Sequence, residues 1–421
     1  MGGFRPQQFM NVKSVGLAVA ATVVSGWAAQ ASQPLLCTPP VIYAVPGVEC
    51  NVYYYPVTDA VRPDNYAFDA VCKVGQSLGS RWTWTPGEAD AGRRESLVIR
   101  IWDDKRGMFE ATTSTVVVAK HGDRSRAVAL ANIGDSIAGN GYPDRILMRM
   151  QEAGFAGYRP VGSRTPGTGM QGPMRAPHDC YGGFGFPAFL ETYGISEDEF
   201  ERIESPSERE MYRKFVKKLA PQDEWRKDLL RSPLLSVEKG EVVVDVQAWF
   251  GRINDGKAPD VILVSSGGGD MCWADPLPGG VEKMLAERTM PAARKVVAAL
   301  RAAAPNALIV LEKPTTGSMD EYAFGHNYKC AVTGFAFRRK MHALHRAFDS
   351  LVAESRDPRL VTIAPYVNVD PVAAYPRQQV PYNACSDEKE VRCVNALHQN
   401  VSGGAQYGDA VYAALRCLVF E

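Results

Sequence analysis

The sequence predicts an α/β fold preceded by a small all-β region, and three observations predict it. Past residue 126, short apolar runs alternate with long helical stretches, the pattern of a sheet covered by helices. Between residues 38 and 119, β-rich runs follow one another at short intervals, separated by turn residues. Two later apolar runs end in glycine-bearing turns, Gly134-Asp135-Ser136 and Gly267-Gly268-Gly269-Asp270. Strands of a parallel sheet present polar groups at their carboxyl ends in this way.

The β region is expected to be a sandwich built from Val41–Val45, Cys50–Tyr55, Ala67–Val74, Arg81–Thr85, Ser96–Trp102 and Thr112–Ala119. Trp82 and Trp84 share a strand face, which suits aromatic packing better than a ligand platform. The charged stretch 120–126 reads as a linker between this domain, 32–119, and an α/β domain, 127–421.

In the second domain, Ala127–Asn132 has strand character and Tyr142–Met150 is a helix with Ile146, Leu147 and Met150 inward. Arg164–Gly185 is a Gly/Pro-rich loop carrying His178, Asp179, Gly182 and Gly183. The charged stretch 197–235, with a helix over Met211–Leu219, reads as an insertion beside the sheet. Asp245–Phe250 opens a helix, and Pro259–Ser266 is a buried parallel strand. Glu282–Ala304 and Phe335–Glu354 are helices, each followed by a strand, Ala307–Glu312 and Leu360–Ala364. Ser402-Gly403-Gly404 reads as a turn before a last helix over Gln406–Arg416.

The chain has 421 residues and 46 % hydrophobic content, enough for a sizeable core and two domains. Lys+Arg and Asp+Glu both number 47, and that balance argues against a nucleic-acid partner. Arg5 and Lys13 flank the apolar run Val15–Ala29, and Ala29-Gln30-Ala31 is a small-x-small cleavage pattern. Residues 1–31 therefore read as an export signal and the protein as secreted or periplasmic, with no further membrane-spanning segment. Export permits disulfides, and Cys385/Cys393 and Cys50/Cys72 are the candidate pairs among nine cysteines. The six histidines include no HxH or HExxH, and a P-loop and GxGxxG are absent, so no metal or cofactor is expected.

Ser136 is either a helix-capping residue or a nucleophile presented at a strand end, with helix-start amides nearby to hold negative charge. His398, in Asn395-Ala396-Leu397-His398, is either a capping or core histidine or a base able to take the Ser136 proton. Glycine amides of the 164–185 loop are candidate oxyanion donors, with His178 and Asp179 lining the same pocket.

The order Ser136, Gly182-Gly183, Gly267–Asp270, His398 resembles the SGNH/GDSL hydrolase family over roughly Ala127–Leu418. The resemblance implies a three-layer α/β/α, flavodoxin-like domain with a mostly parallel sheet of about five strands. It also implies an ester hydrolase with Ser136 as nucleophile and His398 as base. Gly183, or failing it Gly182, would supply the second-block oxyanion amide. The third block of the family reads Gly-x-Asn-Asp, whereas this chain has Gly269 at the asparagine and keeps Asp270. The final block reads Asp-x-x-His, and Asn395 stands at the acid. Asp270, Asp179 and Asp370 are the candidate replacements for that acid. The expected substrate is an acylated small molecule or a carbohydrate ester. The alternative is a catalytically weak or silent relative that binds a glycan or other ligand.

Overall fold

Parallel strands buried on both faces are nearly continuous apolar runs, and the central six-stranded sheet has such runs at Val128–Gly134, Val261–Ser265 and Leu308–Glu312. The computed structural model describes residues 35–139, 141–164, 176–190, 232–238, 241–330 and 332–421. Residues 1–34, where the export signal is expected, residues 165–175 of the glycine-rich loop and nearly all of 197–235, where the Met211–Leu219 helix is expected, lie outside the described residues.

Seven strands come first: β1 Val41–Ala44, β2 Cys50–Tyr53, β3 Ala67–Val71, β4 Gln76–Ser77, β5 Arg81–Trp84, β6 Arg94–Asp103 and β7 Gly107–Val118. They form a four-stranded sheet, β1-β7-β6-β3, and a three-stranded sheet, β2-β5-β4. Alternating side chains of β6 and β7 (Leu97, Ile99, Ile101, Val116, Val118) join Val52 and Trp82 in one apolar cluster. Trp82 is buried there and donates its indole N–H to the Val74 carbonyl at 3.1 Å. Tyr366 and Val367, from far along the chain, belong to the same cluster.

The chain continues through β8 Val128–Gly134, α1 Tyr142–Glu152, β9 Tyr158–Val161, β10 Asp179–Cys180 and the hairpin β11 Leu235–Glu238 with β12 Glu241–Val244. Then come α2 Val246–Ile253, β13 Val261–Ser265, α3 Gly268–Trp273, α4 Gly280–Met284, α5 Met290–Ala303 and β14 Leu308–Glu312. The last elements are α6 Glu321–Tyr328, α7 Gly334–Ser355, β15 Leu360–Ile363, β16 Arg377–Pro381, β17 Lys389–Cys393 and α8 Val401–Val419. β9 and β10 pair with successive parts of one edge of β8, and the order runs on through β13, β14 and β15, every pair parallel. α1 packs against β9 and α8, α5 against β14, and α7 against β15. The architecture is thus a mixed α/β fold around a parallel sheet.

Three expectations are corrected. The stretch 282–304 is two helices joined by a π turn over Leu285–Thr289, immediately ahead of Pro291, which lacks the amide an unbroken helix needs. The final helix starts at Val401, with Asn400 capping the Gly403 amide at 2.9 Å, so Ser402-Gly403-Gly404 is its first turn. A Cβ on Gly403 would meet the Ala374 carbonyl oxygen at 2.4 Å, so glycine is there for close approach.

All nine cysteines are free thiols, and neither candidate disulfide exists. Cys393 ends β17, whereas Cys385 lies in the loop beyond the far end of the β16–β17 ladder, at least ~13 Å of strand away and out of bonding range. Cys50 belongs to the three-stranded sheet and Cys72 follows β3 of the four-stranded one.

Candidate functional site

Beyond the carboxyl end of β8, Asp135 N still pairs with the Ser265 carbonyl at 2.9 Å, and the chain then reverses. The Asp135 carboxylate accepts the Ile137 amide at 2.8 Å, and Gly139 N donates to the Asp135 carbonyl at 3.1 Å. Ser136 sits half-buried at the tip of this turn. A Cβ on Gly134 would meet the Ser265 carbonyl oxygen at 2.5 Å and the Ala138 methyl at 2.7 Å, so only glycine admits the turn so close to β13. α1 begins at Tyr142, so the amides around Ser136 are those of a turn and not of a helix start as expected. Chain connections diverge between β8 and β13, the crevice where open α/β sheets place their ligands.

His398 reaches the same crevice from the loop before α8. Its Nε2 lies 2.8 Å from Ser136 Oγ, joining residues 262 apart in sequence. Asn395 Oδ1 accepts the amides of Leu397 at 3.1 Å and His398 at 2.9 Å, a local side-chain turn that fixes the histidine backbone. Asn395 therefore works on the backbone and makes no hydrogen bond to the imidazole. Burial, with no opposing charge, lowers the His398 pKa from its ordinary value and favours the neutral ring.

The helices that follow Ser136 and His398 are locked together. Arg145 of α1 holds Asp409 of α8 through two bonds of 2.7 and 2.8 Å, and Arg149 adds a third at 2.8 Å. A Cβ on Gly408 would meet Arg145 Cβ at 2.7 Å, so glycine sets the distance between the helices. Beneath them, Tyr142 and Tyr407 donate their hydroxyls to Glu312 Oε2 at 2.9 and 3.1 Å. Burial pushes the Glu312 carboxyl up to about 7, and Asp135 likewise. The sequence reading missed Gly408, Asp409 and Glu312. The one signal for them was Glu312, a lone acid ending the apolar run Leu308–Leu311.

The two glycine loops converge beside the pair. Phe184 N donates to the Tyr181 carbonyl at 3.2 Å, and Gly183, third in this turn, has φ +81°, which glycine adopts without strain. A Cβ on Gly269 would lie 3.4 Å from the Gly183 carbonyl oxygen, so the 182–183 and 267–270 loops touch. Gly182 is open, and a Cβ there would have nothing within 4 Å. Asp270 accepts the Phe186 amide at 3.1 Å, and burial pushes its carboxyl up to about 6.

The remaining candidates are engaged elsewhere. Asp179 accepts from the Ser163 hydroxyl and from Trp249 Nε1 at 3.0 Å. His178 accepts the Cys180 amide on Nδ1 at 3.1 Å, and burial lowers its pKa to about 4. Asp370 accepts the amides of Val372 and Ala373, both at 2.8 Å. Among the described residues, no carboxylate hydrogen-bonds the His398 ring.

No protein-family profile matches the chain, and no curated protein matches it. Among solved structures, it is similar to the Clostridium thermocellum family 3 carbohydrate esterase, at 10 % identity over 68 % of this chain and 94 % of that one, with a TM-score of 0.34. It is also similar to a possible lipase from Chitinophaga pinensis, at 12 % identity over 70 % of this chain and 100 % of that one, TM-score 0.35. A third similar structure is a carbohydrate esterase, at 11 % identity over 84 % of this chain and 95 % of that one, TM-score 0.29.

Proposed function

We propose that this protein is a serine ester hydrolase in which Ser136 is the nucleophile and His398 the base. The observation that carries the reading is the 2.8 Å contact between His398 Nε2 and Ser136 Oγ at the carboxyl end of a parallel sheet. Neutral His398 takes the Ser136 proton as Oγ attacks the ester carbonyl carbon. The tetrahedral oxyanion is met by backbone amides of the Ser136 turn and the Gly183 loop. Collapse breaks the ester bond, the imidazolium returns its proton to the departing alcohol, and an acyl-Ser136 ester remains. His398 then deprotonates water, which releases the acid and restores the serine.

The substrate is an acylated small molecule, with an O-acyl carbohydrate as the preferred class, and the protein is exported after removal of residues 1–31. The N-terminal sequence pattern supports export. One observation favours a second reading, a silent binding protein: among the described residues nothing charged orients the His398 ring, and Gly269 supplies no side-chain amide. A fluorophosphonate that esterifies activated serines separates the two. Stoichiometric labelling that is lost in Ser136→Ala and slowed in His398→Ala supports the hydrolase. A folded protein that takes no label is the binding protein instead.

A further inference from the structure

A second constellation lies away from Ser136, where the first described residues meet α7. Cys37 Sγ, an Asp59 carboxylate oxygen and a His342 ring nitrogen all lie within 4.8 Å of one another. The three are scattered at positions 37, 59 and 342, so no spacing pattern in the sequence marks them. Backbone bonds hold two of them side by side: Cys37 N donates to Val57 O and Asp59 N to Leu35 O, each at 2.7 Å. Tyr366 donates its hydroxyl to the Cys37 carbonyl at 2.9 Å. Asp59 and His342 are buried, while Cys37 keeps some contact with solvent.

The His342 ring lies between two oxygen acceptors, the Pro56 carbonyl and the Asp59 carboxylate. Its Nε2 lies 2.6 Å from the Pro56 carbonyl, which only accepts, so Nε2 carries a hydrogen. In the neutral ring Nδ1 then presents a lone pair. That lone pair points at Asp59 Oδ1, 2.5 Å away, which also only accepts when ionised. Two acceptors hold this contact only with a proton between them, the place a divalent ion takes once the two atoms move apart to bonds of about 2.0 Å each. Cys37 Sγ stands against the other Asp59 oxygen at 3.6 Å. Arg346, one helical turn beyond His342, brings Nη1 to 3.1 Å from Cys37 Sγ and 3.3 Å from Asp59 Oδ2. Its side chain is 43 % exposed and can leave without disturbing the core.

We propose that Cys37, Asp59 and His342 form a binding site for zinc or another borderline divalent transition-metal ion, with Arg346 supplying the positive charge until the ion arrives. Thiolate, imidazole and carboxylate are the donors such ions take, and three protein ligands leave a coordination position open. The Pro56 carbonyl serves as the outer partner that fixes a metal-binding histidine in its tautomer. On binding, a metal–sulfur, a metal–nitrogen and a metal–oxygen bond form. The Cys37 thiol proton and the His342 Nδ1 proton pass to solvent, and the Arg346 guanidinium swings outward. The ion then ties the chain around residues 37–59 to α7.

The test is titration of the chelator-treated full chain with Co²⁺, followed by competition with Zn²⁺. The expected result is a near-ultraviolet thiolate-to-cobalt absorption at one ion per chain, absent in Cys37→Ser and displaced by Zn²⁺. Asp59→Asn weakens binding by at least ~10-fold, and Arg346→Ala strengthens it by at least ~10-fold because a competing cation is gone. A band that appears only in Arg346→Ala and is still lost with Cys37→Ser also supports the donor set. The proposal is overturned if folded wild type and Arg346→Ala both lack the band, or if the band survives Cys37→Ser. Circular dichroism of each variant establishes that it is folded.

Discussion

Asn395 holds His398 by its backbone: the side-chain oxygen accepts the histidine amide at 2.9 Å and the Leu397 amide at 3.1 Å. Asn395, three residues before His398, is thus a turn-forming cap. Asn395→Ala removes both bonds and frees the loop, at about 1 kcal/mol of stability. If His398 is the base, its turnover of a small chromogenic ester falls by about tenfold or more, because a histidine off by ~1 Å no longer shares the serine proton. Asn395→Asp keeps both backbone bonds, so its urea midpoint stays at the wild-type value. Unfolding curves and ester hydrolysis measured on the same two variants separate the cap from a catalytic acid.

The same aspartate variant alters the pH profile. If His398 is the base, it acts only when neutral, and burial lowers its pKa, so wild-type kcat/KM falls off on the acid side with a midpoint below about 6.5. A carboxylate at position 395 favours the imidazolium and raises that pKa. The acid limb of Asn395→Asp therefore moves to higher pH, while the imidazolium formed during attack on the ester is stabilised and kcat rises. An acid limb with the same midpoint in both proteins would show that His398 is not the group being titrated.

Three neighbouring glycines differ in what a methyl would meet. Gly182 has open space and no positive φ, so Gly182→Ala is neutral. Gly183 has open space but φ +81°, so Gly183→Ala costs about 1–2 kcal/mol through backbone strain. A Cβ on Gly185 falls 1.8 Å from Asp270 Oδ1, which the carboxylate cannot yield without losing the Phe186 amide. Gly185→Ala is therefore the most destabilised of the three and separates the 182–189 loop from the 267–270 loop. Thermal midpoints in the order 182 > 183 > 185 are the expected result, and a stable Gly185→Ala would contradict the contact.

The site was legible where chemistry and periodicity coincide. The apolar runs that became β8, β13 and β14 announce buried parallel strands, and the residues just beyond them, Ser136 and Gly267–Asp270, inherit their position from that fact. The Ser136–His398 contact was foreseeable from residue types in order along the chain. Features set by close approach were not. Gly403 and Gly404 read as a turn because glycine is a poor helix former, yet a helix packed on the Ala374 carbonyl requires one. β10, two residues long, is too short to leave a pattern, and the engagement of Asp179 with Ser163 and Trp249 is a tertiary fact. Glu312, a single acid at a strand end, carries no periodic signature at all.

Glu312 supplies the last prediction, in the pH dependence of stability. Burial raises its folded-state pKa to about 7, above the ordinary value of 4.5, so the folded protein binds this proton more tightly than the unfolded chain does. The stabilisation is complete below about pH 4.5 and is lost as pH rises through 7. The loss is on the order of 3 kcal/mol at most, since a tenfold change in proton affinity is worth about 1.4 kcal/mol. Glutamine keeps an oxygen for the Tyr142 and Tyr407 hydroxyls and cannot ionise. Glu312→Gln is therefore close to wild type at pH 5 and more stable at pH 8. Asp135, also raised to about 7 by burial, titrates over the same range, so the variant flattens the curve of midpoint against pH without levelling it. Denaturation midpoints of both proteins across pH 5 to 8 decide the matter: parallel curves would mean that Glu312 stays ionised in the fold, and that the tyrosine hydroxyls hold a carboxylate between α1 and α8.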